Sequence, residues 1–183
     1  MTINPIWQPP SQQRIFRQLV EAMANPGCMV DLERWLNGDA AYRGVLASLL
    51  DGEVTLADDH ALLPATDWPL LQAKQVTVDA ANYVLCDGSR SPDFQPKLGT
   101  LTCPDEAATL IICVKSLGQG GLRLRLSGPG IERVAHLALA GLNPAWLSAR
   151  EQWNAAFPLG VDILLTDERC VVGLPRTTRV EAD

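Results

Sequence analysis

Lysine is scarce in this sequence: Lys74, Lys97 and Lys115 are the three residues of that type among 15 basic ones. Histidine is scarcer, with two, His60 and His136. No pair of cysteines has the CxxC spacing, which excludes a zinc ribbon or a thioredoxin-type site. No GK[ST] follows a glycine loop, and no GxSxG elbow is present. No apolar run reaches the length needed to cross a bilayer. The opening MTINPIWQPPSQQR lacks the basic start and apolar stretch of a secretory signal. The expectation is a soluble, cytoplasmic protein.

The 183 residues, 47% of them hydrophobic, are enough for one domain with its own core. The net charge of −6 disfavours nucleic acid and anionic membranes as main partners. It leaves room for a small anion, because a local arginine pocket can exist on an acidic protein. The five cysteines are widely spaced. Cys113 and Cys170 lie in apolar runs and read as buried, inert thiols.

The order of elements is mixed. Ser11 is placed to cap a helix starting near Gln12, with Phe16, Leu19, Val20 and Met23 as its apolar stripe. MVDL (29–32), VTLAD (54–58) and NYVLCDG (82–88) read as strands, and a second helix runs from about Asp39 to Leu50. Residues 88–105 form a long connection. TLIICVKSL (109–117) is the central-strand candidate. With GQGG as the turn, it reads as a hairpin with LRLRLS (122–127). That last stretch alternates, so Arg123 and Arg125 share a face that is wet or covered by something acidic. Residues 131–142 fit either a strand or a helix. Asn143-Pro144 starts a helix that runs to about Ala156. VDILLT (161–166) and RCVVGLP (169–175) form a second hairpin. These features predict an α/β domain spanning 1–183, an open mixed β-sheet flanked by helices.

Several stretches carry chemistry-bearing residues. SGPGI (127–131) reads as a tight turn rather than a phosphate cradle, since Pro129 removes a donor. Lys115 reads as solvated. Asp87, Ser89, Arg90, Ser91 and Asp93 read as a polar loop, and His136 as a hydrogen-bonded structural residue. Asp162 sits among apolar neighbours and needs a partner, for which Arg176 and Arg179 are candidates. GLPRTTR (173–179) gathers Arg176, Thr177, Thr178 and Arg179. These can hold a phosphate or carboxylate, or pair with Asp162, Asp167 or Glu168. An extended segment sends Arg176 and Thr178 to one face, Thr177 and Arg179 to the other, which argues against a two-arginine clamp. A polar network, internal or between subunits, is the favoured reading.

FRQLVEAMANPG (16–27), PDEAATLIICVKSL (104–117), LRLSGPGI (124–131), FPLGVDILLTDE (157–168) and GLPRTTRVE (173–181) occur in an order that resembles the PhnH family of the bacterial carbon–phosphorus lyase system. The resemblance implies a cytoplasmic protein of phosphonate utilisation, made under phosphate limitation. It implies a fold similar to pyridoxal-phosphate-dependent transferases without that cofactor, and a homodimer when alone. PhnG, PhnI and PhnJ are the implied partners in a core complex, with a functional link to PhnL. Together with PhnG, PhnI and PhnL, the family supports formation of a ribose 1-phosphonate 5-triphosphate from a nucleoside triphosphate. No catalytic, cofactor or metal residue is carried over. Arg123, Arg125 and the 173–179 segment become interface or anion-binding candidates.

Overall fold

The computed structural model describes residues 4–183. In chain order the elements are α1 (Pro9–Ala24), β1 (Met29–Asp31), α2 (Glu33–Leu36), α3 (Ala41–Leu49), β2 (Thr55–Asp58), α4 (Trp68–Leu71), β3 (Lys74–Gln75), β4 (Tyr83–Asp87), β5 (Thr109–Cys113), β6 (Ser116–Ser127), β7 (Ala135–Ala140), α5 (Ala145–Trp153), β8 (Asp162–Thr166), β9 (Cys170–Leu174) and β10 (Arg179–Ala182). Seven strands make a mixed sheet in the order β1-β9-β8-β5-β4-β2-β3. Strands β3, β2, β4, β5 and β8 run parallel, and the β8–β9 hairpin turns the direction so that β9 pairs antiparallel with β8 and with β1. The α/β class and the mixed sheet match the sequence reading. The hairpin at 161–175 does too. Among the described residues, no helix is long and apolar enough to cross a membrane.

Both faces of this sheet are buried, which is why its strands are continuous apolar runs rather than alternating ones. On one face Leu56, Leu85, Ile111, Leu164 and Val171 pack under α1 and α3 through Ile15, Leu19, Val45 and Leu46. The other face offers Val84, Leu110, Ile112, Ile163 and Leu165. Helices alone do not cover it. A second, antiparallel sheet, β10-β6-β7, lies there with Leu124, Leu126, Leu137 and Leu139 inward, beside Trp146 and Trp153 of α5.

That second sheet corrects the expected β5–β6 hairpin. The chain leaves β5 at Cys113, crosses through Val114 and Lys115, and enters β6 in the other sheet. The GQGG stretch (118–121) is no hairpin turn. It forms an irregularity within β6, opposite Leu139 of β7. The partner of β6 is β7, from the stretch that fitted either strand or helix. Its Leu137 and Leu139 alternate inward, which only a strand allows.

Helix α1 also differs from expectation. It begins at Pro9, not after Ser11, because proline fits the first turn, where no N–H is needed. Its buried stripe is Ile15, Leu19 and Ala22, while Phe16 and Val20 stay 47% and 53% exposed. The stripe is rotated because Ala22 lies directly on Gly173 of β9. Within the helical layer, Arg43 of α3 grips the buried Asp67 through Nε at 2.6 Å and Nη2 at 2.8 Å. This pair orders the 59–78 region, where the sequence showed only proline breaks.

Cys113 lies at the end of β5, where Thr166 Oγ1 donates to its Sγ at 3.7 Å. Burial pushes the thiol up from 9.0 to about 11, offset in part by that hydrogen bond. The folded chain therefore holds this proton more tightly than the unfolded chain. The associated stability is complete below pH 9 and is lost as pH rises towards 11, by up to about 2–3 kcal/mol. Urea midpoints at pH 8 and pH 10.5 check this. At pH 8, iodoacetamide should label exposed Cys28 well before Cys113 or buried Cys86.

Candidate functional site

The segment GLPRTTR is not extended. After β9 it makes a turn, with the Thr178 N–H donating to Pro175 O at 2.9 Å. The turn is held from two sides. From inside it, Arg176 reaches Asp162 at the start of β8: Nη2 donates to Oδ2 at 2.7 Å, and the Arg176 backbone N–H donates to Oδ1 at 2.7 Å. Its Nη1 donates to Pro104 O at 2.9 Å and Pro158 O at 3.1 Å. From outside, Arg150 of α5 donates through Nη2 to Pro175 O at 2.7 Å and Thr178 O at 2.8 Å. Asp162 thus takes Arg176, not Arg179, as its partner. The inward pair Arg176 and Thr178 and the outward pair Thr177 and Arg179 agree with the sequence reading. Their cause is the turn, not strand alternation.

Arg150 is 7% exposed. Burial pulls its guanidinium down to about 10, against the Asp162 carboxylate, which raises it. It remains a cation at neutral pH, with Nε lacking a partner among the described residues. Asn154, one turn further on and just past the end of α5, lacks a partner for Nδ2 among the described residues, although its Oδ1 accepts from Val161 N–H at 2.7 Å. Thr178, 2% exposed, lacks one for Oγ1. An unmade buried hydrogen bond costs about 1–3 kcal/mol, so three in one place call for an account. All three residues line one open groove of about 1090 Å³ between α5 and β10. Leu147, Phe157 and Val180 supply apolar lining, and Arg179 stands at its rim.

Strand β10 also organises the remaining candidates. Its register sets Arg179 opposite Ser127 and Glu181 opposite Arg125. Arg123, Arg125 and Arg179 therefore share the outer face of the β10-β6-β7 sheet, and all are exposed. Glu181 accepts from Arg125 at 2.8 Å, which is the acidic cover expected over that face. His136 approaches Asp183 at 3.3 Å on the same face, exposed rather than structural. Among the described residues, Arg123 and Arg179 have no ion pair.

Elsewhere the candidates are structural. Ser89 donates its hydroxyl to Asp87 Oδ1 at 2.7 Å. Burial raises the Asp87 carboxyl, but the Ser89 hydrogen bonds and nearby His60 hold it below its ordinary range. His60 accepts the Asp87 N–H at 3.2 Å, so it is not a base for Ser89. The SGPGI stretch is a tight turn closed by Ile131 N–H to Gly128 O at 3.1 Å, with Gly130 against Ala24 O. Lys115 is exposed at the crossover between sheets.

Arg150 and Asn154 were not singled out from sequence. The signal was there: Trp146, Arg150 and Trp153 fall three, four and seven apart on one helix face, and Asn154 follows Arg150 by four. An arginine between two tryptophans on an inward stripe is a buried cation.

The family model described as bacterial phosphonate metabolism protein (PhnH) matches residues 6–181. HtxG of Stutzerimonas stutzeri, by its name a candidate C-P lyase subunit, is 41% identical over 175 residues, or 96% of this chain and 88% of the relative. The alpha-D-ribose 1-methylphosphonate 5-triphosphate synthase subunit PhnH of Rhizobium meliloti (strain 1021) is 31% identical over 182 residues, or 93% of this chain and 90% of the relative.

Proposed function

The chain belongs to the PhnH family, and from that premise we propose that it is a non-catalytic subunit of a carbon–phosphorus lyase core complex. In this reading it works in the cytoplasm. It is a homodimer when alone and joins PhnG, PhnI and PhnJ in the complex. With PhnG, PhnI and PhnL it supports formation of α-D-ribose 1-methylphosphonate 5-triphosphate from ATP and methylphosphonate. A phosphonate oxygen bonds to ribose C1, the N-glycosidic bond breaks, and adenine leaves with the bond's electron pair. The half-exposed Phe16 and Val20 of α1 offer the dimer an apolar face.

One observation carries the reading. Arg123 and Arg179 on the outer sheet face, without an ion pair among the described residues, and the orphaned groups of Arg150, Asn154 and Thr178 sit together around β10. Such a gathering suits a docking surface. The test is native mass spectrometry on the chain purified by tag from phosphate-starved host cells. Stoichiometric PhnG, PhnI and PhnJ are expected, and synthase activity should fail when this chain is left out of the reconstituted set. Full product without it would remove the role.

A second reading is direct binding of a phosphonate or nucleotide. Arg176 is spent on Asp162 and two carbonyls, so such a site would rest on Arg150, Thr178 and Arg179. It would show as heat on mixing the isolated chain with ATP or methylphosphonate. We further read the parallel strands β2, β4, β5 and β8 as a frame similar to pyridoxal-phosphate-dependent transferases that works without the cofactor.

A further inference from the structure

Strand β10 is an edge of the smaller sheet, and its free edge opens on the groove. The hydrogen-bond pattern tells which backbone groups lie there. Asp183 N–H donates to Arg123 O at 3.0 Å, which fixes that position as a hydrogen-bonded pair. In an antiparallel ladder such pairs recur every second residue. Glu181 and Arg179 therefore also point their N–H and C=O towards β6, and Val180 and Ala182 point theirs away. Thr178 confirms the direction, since its outward carbonyl is the one that meets Arg150 of α5. The N–H and C=O groups of Val180 and Ala182 continue that row along the groove.

Three features meet in one place. They are an open strand edge, a wall whose residues Arg150, Asn154 and Thr178 keep buried polar atoms without a partner among the described residues, and Arg179, which has no ion pair among them. A small anion would use only the second and third. An extended polypeptide uses the edge as well: its backbone completes it, and an acidic side chain supplies an acceptor to Arg179. With Arg176 held by Asp162 and Glu181 held by Arg125, the groove is left with Arg150 and Arg179 against Glu151.

We propose that the groove between α5 and β10 receives an extended, acidic segment of a companion subunit, which adds to the open edge of β10 as a fourth strand. The inference rests on the chain being a complex subunit.

Hydrogen–deuterium exchange, read by mass spectrometry on the chain alone and in the complex purified from phosphate-starved cells, tests it. Exchange across 179–183 should slow at least tenfold on assembly. Ala182→Pro removes an outward N–H while leaving the inward ladder intact, so it should weaken assembly at least tenfold with the melting of the free chain unchanged. Arg179→Glu should also weaken assembly tenfold or more, and it decides the matter if the proline variant melts early. A wild-type complex in which 179–183 exchanges as fast as in the free chain overturns the proposal and leaves the subunit reading standing. So does wild-type assembly by both variants. Slowing produced by millimolar ATP or methylphosphonate alone makes the groove a small-anion site and overturns it too. A chain that joins no complex overturns both readings.

Discussion

Asp162→Ala will lower the stability of the chain by about 3 kcal/mol, at the low end of the range for breaking a buried ion pair. The pair is partly screened, with side-chain exposures of 14% for Arg176 and 22% for Asp162, which places it below the fully buried cases. Three losses combine. The Arg176 guanidinium keeps its two carbonyl acceptors but loses its counter-charge. The Arg176 backbone N–H loses its acceptor. The buried Arg150 cation loses the one carboxylate that raises its pKa. Thermal unfolding should shift down by about 6–12 °C for a chain of this size. Asp162→Asn, which keeps an oxygen for the backbone N–H, should cost less. A shift under about 2 °C for Asp162→Ala would place the pair among surface bridges of little consequence.

Gly173→Ala should cost about 3 kcal/mol or more, by overpacking. A Cβ there would come within 2.5 Å of Ala22 O, 2.7 Å of Ala22 C and 2.9 Å of Met23 Cα. All three atoms are backbone of α1, so no side chain can swing aside. The helix must lift from β9, which it touches along its buried stripe. The φ at Gly173 is not in the left-handed region, so the cost comes from packing alone. Gly121→Ala is the control, because nothing lies within 4 Å of its added Cβ. Equal unfolding midpoints for the two variants in urea would show that α1 moves freely on the sheet.

What could be read from sequence was local in character. The β8–β9 hairpin, the central strand at 109–113 and the start of α5 each rest on a signal contained in a few neighbouring residues. The LRLRLS alternation told correctly that Leu124 and Leu126 are buried and Arg123 and Arg125 exposed. It could not tell which strand lies alongside, because alternation names a face and not a neighbour. Hence β6 was paired with the preceding strand rather than the following one. The Asp162–Arg176 pair was within reach because an acid in an apolar run demands a partner close across a hairpin. The groove was not. Its walls, α5 and β10, are separated by 25 residues between Trp153 and Arg179. Nothing local marks an unpaired strand edge.

The basic outer face of the smaller sheet sits on a chain whose net charge is −6. At long range an approaching negative surface therefore meets repulsion from the body as a whole. Within about a Debye length, ~10 Å at 0.1 M salt, Arg123, Arg125 and Arg179 outnumber Glu181 and Asp183 on this face. Such a face favours encounters of a negative surface that arrive turned towards β10. Added salt then acts in two opposed ways, easing the approach and weakening the capture. Glu181, paired with Arg125, and Asp183, beside His136, trim the local field without cancelling it, so the face is selective more than sticky.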